Sequence, residues 1–369
     1  MLRPRKSYDR LNKYRPPLEG RGGKMRLDFN ENTVGCAPAV VRALRRALNR
    51  DRLATYPEYE TAREKLAGYY RVKPDQIVLT NGTDDAMKVI CETFVEPGDV
   101  LLVPAPTFPI YQFFHEVAGG RTERIYFDEN FRLPLKPFLK ALKKDVRWVA
   151  IANPNNPTGT MVAHRDLRVM LEAAPQTAFI VDEAYHEFSG ETVIPWIRKY
   201  PNLIVTRTFS KAFGLAALRM GCIITNVQTA ELMRRGQNPF SANSVALAGA
   251  LAAIEHADFT LRFAAEIRAQ RSELERWLAG QGIPCVPSKA NFILTQFGPN
   301  SPEIGRRLRA KRILVRDWNY DPRLRGFLRI TVGSGAQMRV LRRELTQLRG
   351  LMEISRGRRA KLIAPGEKP

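Results

Sequence analysis

Paired cysteines are missing from this chain. Cys36, Cys91, Cys222 and Cys285 are scattered with no ligand-like spacing, which argues against a disulfide framework or a cysteine-bound metal and for reduced thiols in a cytoplasmic protein. Long apolar runs are missing too. None approaches the roughly 20 residues that cross a bilayer, so no membrane partner is expected. The opening MLRPRKSYDRLNKYRPP is basic but holds no apolar core, and the expectation is a chain without a secretory signal. Acidic residues are in deficit, 37 against 59 Lys and Arg, for a formal charge of +22. That excess raises nucleic acid as a partner, yet no RNP, zinc-finger or helix-turn-helix pattern accompanies it. The charges are spread along the chain, with one concentration at SRGRRAKLIAPGEKP (355–369), read as a mobile tail. A basic solvated surface that steers anionic metabolites is the expectation, with nucleic acid the remoter one.

What is present is a chain of 369 residues, 44% hydrophobic, long enough for two domains around substantial cores. Buried strands are predicted at Gln76–Thr80, Val100–Val103, Arg147–Ala152, Ala178–Val181, Leu203–Thr206 and Met220–Thr225. Helical patterns lie between most of them, for example Asp84–Val95 and Arg165–Ala173. This alternation predicts a mainly parallel α/β sheet with its ligand at the carboxyl ends of the strands. After residue 240 the pattern turns to long helix. Short strands follow at Asn291–Thr295, Ile313–Val315 and Phe327–Thr331, then an amphipathic helix at Ala336–Leu348. The expected division is a large α/β domain over 51–275 and a smaller α+β domain built from 1–50 and 276–369.

Four polar stretches follow predicted strands. QIVLTNGTDDAMKVI (76–90) ends a strand at Asn81-Gly82 and opens a helix at Thr83-Asp84. Free N–H groups there suit a phosphate, and Gly82 permits close approach; taken alone, the stretch reads first as a plain N-cap by Thr83 or Asp84. AIANPNNPTG (150–159) presents Asn153, Asn155 and Asn156 on a turn set by two prolines and Gly159, functional or merely structural. AFIVDEAYHEF (178–188) puts Asp182 at the end of an apolar strand, with Tyr185 three residues on. A carboxylate there needs a cationic partner or serves to cap the next helix. TFSKAFGLAALRMG (208–221) sets Ser210 and Lys211 among small and apolar neighbours, with Arg219 eight residues further. Partial burial lowers a lysine's pKa and makes its amine a potential nucleophile. Four such stretches on one sheet converge on one crevice.

Together the motifs GTDDA, NPNNPTG, VDEAY, SKAFGLAALRMG and LRITVG, in that order through nearly the whole chain, resemble the fold type I pyridoxal-phosphate enzymes, specifically the class I and II aminotransferases. The resemblance implies that Lys211 carries the cofactor covalently and that Asp182 pairs with its pyridine nitrogen. Asn156 and Tyr185 would bond the phenolic oxygen, and Thr83, Asp84, Ser210 and Arg219 would hold the phosphate beside Gly82. Phe108, in PAPTFPIY, matches the aromatic that stacks on the ring. Tyr56, in ATYPEYE, matches a tyrosine that reaches the neighbouring subunit's cofactor, which implies a homodimer with shared sites.

Further details resemble the histidinol-phosphate branch of that family: LDFNENTVG (27–35), KYRPP with Tyr14, ILVRDWN (313–319) and GFLRITVG (326–333). Thr33 stands where that branch commonly has proline. Arg329 matches the family's substrate-anion arginine, and Arg316 with Tyr14 matches the pair that binds a phosphorylated substrate. A surface ion pair with Asp317 or a neighbour is the alternative for Arg316. Glutamate is the implied amino donor. Aromatic-amino-acid aminotransferases and phosphothreonine decarboxylases share much of this motif set and remain open, as does a basic nucleic-acid-binding protein on the same scaffold.

Overall fold

The computed structural model describes residues 2–3, 5–11, 17–142 and 145–352. Tyr14 and the basic segment 355–369 therefore lie outside the described residues. Twelve strands are formed among those described, in two sheets. In chain order they are β1 (Met25–Leu27), β2 (Ile77–Thr80), β3 (Val100–Ala105), β4 (Arg121–Tyr126), β5 (Val146–Ala152) and β6 (Ala178–Asp182). Then come β7 (Leu203–Thr208), β8 (Gly221–Ile224), β9 (Cys285–Val286), β10 (Phe292–Gln296), β11 (Ile313–Asp317) and β12 (Phe327–Thr331).

The larger sheet has the order β2-β8-β7-β6-β5-β3-β4. It is parallel from β7 to β4, and only β8 runs antiparallel to its two neighbours. The expected mainly parallel sheet is present, and its central strands read as continuous apolar runs because both faces are covered. Alternation along each strand separates the two faces. Phe179, Val181, Leu203 and Val205 enter one core, whereas Ile180, Ile204, Val78 and Val103 enter the other together with Met87 and Tyr111. Strand β4 was not anticipated. It is an edge strand with weak alternation of burial, so its sequence RTERIY carries little apolar signal.

The smaller sheet, β1-β11-β12-β10-β9, is antiparallel except for the β1–β11 pair. It packs its own core against the helix Ala257–Gly280 and the helix Gly335–Gln347. Met25–Leu27 joins it as β1, parallel to β11. The long helical stretch after residue 240 divides into Ser244–Glu255 and Ala257–Gly280, bent by 74° at His256. Among the described residues no single helix is long and apolar enough to cross a membrane.

Candidate active site

Residues from all four polar stretches, and from β11 and β12 of the smaller sheet, line one cavity of about 550 Å³. Lys211, Asp182, Tyr185, Asn156, Thr83, Asp84, Phe108, Ser210, Arg219, Arg316 and Arg329 all border it. The strands deliver these side chains because each polar group follows the last apolar residue of its strand, where the helix layers stop covering the sheet.

Lys211 lies just beyond β7. Its Nζ donates to the Phe29 carbonyl at 2.9 Å and stands 6.0 Å from the centre of the Tyr185 ring. Burial, helped by the nearby Arg329 guanidinium, brings its pKa down from 10.5 to about 8. The amine is thus poised near neutrality, as a nucleophile or proton carrier requires. Phe29 is itself clamped. Arg21 covers one side of its ring at 4.2 Å and Arg316 approaches at 5.8 Å. Arg21 also holds Asp28 at 2.8 and 3.1 Å and Glu31 at 2.7 and 3.1 Å, bidentate to both. It ties down the segment whose carbonyl receives Lys211.

Asp182 ends β6 and is buried. Its Oδ2 accepts the Tyr111 hydroxyl at 2.6 Å, while its Oδ1 accepts the Thr206 hydroxyl at 3.0 Å and the Ala184 N–H at 3.1 Å. It does not cap the following helix, whose N-cap position belongs to Tyr185. Burial pushes its pKa up, and the three donors oppose that. Glu183, the next residue, faces the opposite side of the sheet, where it pairs with the buried Arg207 at 2.8 Å. Period-two alternation thus sends one carboxylate to the cavity and the other to a structural ion pair.

The asparagine turn resolves in the same way. Asn153 bonds both backbone groups of Val162. Asn155 bonds Pro106, Thr107 and Thr158. Both are structural. Asn156 alone turns to the cavity, where its Oδ1 accepts from Arg329 Nη1. Arg329 is buried and also donates from Nη2 to the Asp28 carbonyl at 2.6 Å. Arg316 and Arg329 are register partners on β11 and β12. Among the described residues Arg316 makes no ion pair, so the pairing with Asp317 is not formed; Asp317 instead accepts from Asn319.

At the carboxyl end of β2 the helix Gly82–Phe94 has Asn81 at its N-cap position, so Thr83 and Asp84 sit in its first turn and neither is the cap. Thr83 Oγ1 is buried with no hydrogen-bond partner. Arg219 reaches this helix start, 3.4 Å from both Ser210 Oγ and Asp84 Oδ2. Gly82 has φ +81°, and a Cβ there would come within 2.5 Å of Arg219 Nη2. Only glycine leaves room for the guanidinium.

Phe108 meets Tyr111 edge-on at 5.9 Å. Tyr56 lies outside the cavity, 72% exposed and stacked on Phe240 at 4.2 Å. Sequence reasoning missed Arg21, Asn30 and Tyr111. Asn30 donates to the Tyr185 hydroxyl at 2.9 Å and is 155 residues away from it in sequence. Only the NEN triplet around Asn30 offered any signal, and none marked Tyr111.

A half-buried lysine, a buried carboxylate and a helix start with an unpartnered hydroxyl face two arginines across the carboxyl edge of a mainly parallel sheet, the arrangement that the resemblance to pyridoxal-phosphate transferases implies. Residues 22–345 match the aminotransferase class I and II family, and the chain belongs to it. Among its relatives, histidinol-phosphate aminotransferase of Geobacillus sp. (strain WCH70) is 36% identical over 334 residues, 88% of this chain and 90% of that protein. Histidinol-phosphate aminotransferase 2 of Methylococcus capsulatus is 35% identical over 327 residues, 85% of this chain and 87% of that one. The structure of histidinol-phosphate aminotransferase from Sinorhizobium meliloti in complex with pyridoxal-5'-phosphate superposes with a TM-score of 0.81 at 27% identity, covering 89% of this chain and 90% of that one.

Proposed function

We propose that this aminotransferase exchanges the amino group between histidinol phosphate and 2-oxoglutarate, running in the biosynthetic direction from imidazole-acetol phosphate and glutamate. The observation that carries the reading is the adjacency of Arg316 and Arg329 on paired strands, in the same cavity as the half-buried Lys211. Two guanidinium groups side by side suit a phosphate dianion or a carboxylate, with bidentate, charge-assisted bonds.

Pyridoxal phosphate fits the donors present. Thr83 Oγ1, buried and without a partner at a helix start beside Arg219 and Ser210, is an unmet bonding capacity of the kind a phosphate satisfies. Bound there, the cofactor supplies an electrophilic carbonyl carbon and a ring that withdraws electrons from the substrate's Cα. The chain does the rest. Lys211 would hold the cofactor covalently, and its amine would move the proton at the substrate's Cα. Asp182 keeps a positive charge on the ring nitrogen, and its three donors keep the carboxylate available for that. Asn156, whose Oδ1 is engaged by Arg329, offers its amide N–H to the phenolic oxygen together with Tyr185. Phe108 covers the ring face, and Gly82, Thr83, Asp84, Ser210 and Arg219 hold the phosphate. Tyr14 would join Arg316 and Arg329 at the substrate's phosphate.

The same reading includes a cytoplasmic homodimer in which the exposed Tyr56 serves the partner's site, and a large domain over 51–275 with a small one from 1–50 and 276–369. The test is an assay of the purified, cofactor-loaded protein against histidinol phosphate, phosphothreonine, phenylalanine and aspartate, with 2-oxoglutarate as acceptor and the products identified. Imidazole-acetol phosphate and glutamate are expected. Carbon dioxide from phosphothreonine, or a preference for phenylalanine, would overturn the substrate assignment.

A further inference from the structure

Beyond the residues that touch the cofactor or substrate, one buried side chain stands directly behind the site. Tyr111 lies in the first turn of the helix Ile110–Val117 and is 2% exposed. It lies on the face of the sheet shared by Ile180 and Ile204. Alternation from those residues brings Asp182 and Thr206 to that face as well, so the contact follows from period two along β6 and β7. Its hydroxyl reaches Asp182 Oδ2 at 2.6 Å, the short distance of a hydrogen bond to an ionised acceptor. The division of labour at the carboxylate matters. Oδ1 already has two donors, Thr206 and Ala184 N–H. Oδ2 has Tyr111 and a remaining lone pair. The Tyr111 ring also sets the edge of Phe108 at 5.9 Å.

We infer that Tyr111 is a positioning residue that acts through Asp182, holding Oδ2 ionised and fixed in direction so that the carboxylate can retain a proton on the cofactor's ring nitrogen. This rests on the cofactor proposed above. A buried carboxylate stripped of a donor binds protons more readily. Without Tyr111 the shared proton therefore moves from the ring toward Asp182. The neighbouring charges do not replace the hydroxyl. Asp84, on the helix Gly82–Phe94, disfavours ionisation of Asp182. Tyr185 and the cationic Lys211, Arg219 and Arg329 border the same cavity, while the donors to Asp182 are Tyr111, Thr206 and the Ala184 N–H. Tyr111 is itself buried beside a carboxylate, which pushes its pKa well above 10, so it remains a donor throughout the working range.

The experiment loads the wild-type protein, Tyr111→Phe and Thr206→Val with pyridoxal phosphate carrying ¹⁵N in its ring. It records the ¹⁵N resonance, the pH titration of the bound cofactor's visible band, and kcat and KM. Phenylalanine keeps the ring packing, and Thr206→Val provides a second donor deletion should Tyr111→Phe fold poorly. In the variants the resonance is expected to move toward unprotonated pyridine. Loss of one charge-assisted bond should lower kcat on the order of tenfold to a hundredfold, with KM for the amino donor held within about twofold. An unchanged resonance and kcat in a folded Tyr111→Phe, or in Thr206→Val where Tyr111→Phe does not fold, with a wild-type protein that binds the cofactor, would overturn the role of Tyr111 alone. A wild-type protein that takes up no cofactor would overturn the proposed function and this inference with it.

Discussion

Replacing Lys211 by methionine is expected to make the cofactor-free protein more stable at pH 7. The amine is held in a site that lowers its pKa from 10.5 to about 8. That difference corresponds to about 3 kcal/mol of unfavourable interaction for the charged form, since one pKa unit is about 1.4 kcal/mol. Two corrections reduce it. Lys211 is only partly shielded from solvent, and its hydrogen bond to the Phe29 carbonyl, worth about 1 kcal/mol, is lost. A net gain of about 2 kcal/mol remains. The sign varies with pH in a defined way. Below pH 8 the folded and unfolded chains both carry the proton, so the penalty is complete and flat. Between pH 8 and 10.5 the unfolded chain binds more protons, so wild-type stability rises with pH relative to the variant. The advantage of Lys211→Met is therefore full at pH 7 and fades by about pH 10.5. Urea unfolding of both proteins at pH 7 and pH 10, at equal protein concentration and without cofactor, measures it. A variant less stable at pH 7, or a difference independent of pH, would refute the reasoning.

Gly82→Ala should lower cofactor retention at least tenfold, because the new Cβ displaces the Arg219 guanidinium, and should cost about 1–2 kcal/mol from the positive φ. Equilibrium dialysis and thermal unfolding test the two effects, and normal retention would contradict the proposed phosphate cradle. Arg316→Ala should reduce kcat/KM for histidinol phosphate by on the order of 2–4 kcal/mol, and for phenylalanine far less. Equal losses on both would remove the phosphate from the role assigned to it. Arg207→Met breaks a fully buried pair with Glu183 at 2.8 Å and should destabilise the fold by about 3–5 kcal/mol, seen as a lower urea midpoint. A change under 1 kcal/mol would mean that Glu183 finds other compensation.

Much of this protein is determined by its sequence alone. The runs that become β2, β3, β5, β6, β7 and β8 are apolar because both faces of a mainly parallel sheet are covered, and that composition is visible locally. The polar residues that follow those runs are visible for the same reason, so Asp182, Asn156, Thr83 and Lys211 stand out in the sequence itself. Tertiary structure decided what such local signals leave equal. Asn153, Asn155 and Asn156 share one turn, and only the arrival of Arg329 from 173 residues away separates the cavity residue from its structural neighbours. Asp182 could have been a cap until Tyr111 and Thr206 met it from other elements. Arg21 became part of the site by gripping Asp28 and Glu31 in a segment that docks on Lys211, 182 residues from Phe29. The edge strand β4 and the bend at His256 carry no local mark either. Periodicity records which face of an element is buried, because burial acts residue by residue. Which partner a polar side chain meets depends on chain closure across hundreds of residues, and that is settled only when the two sheets come together.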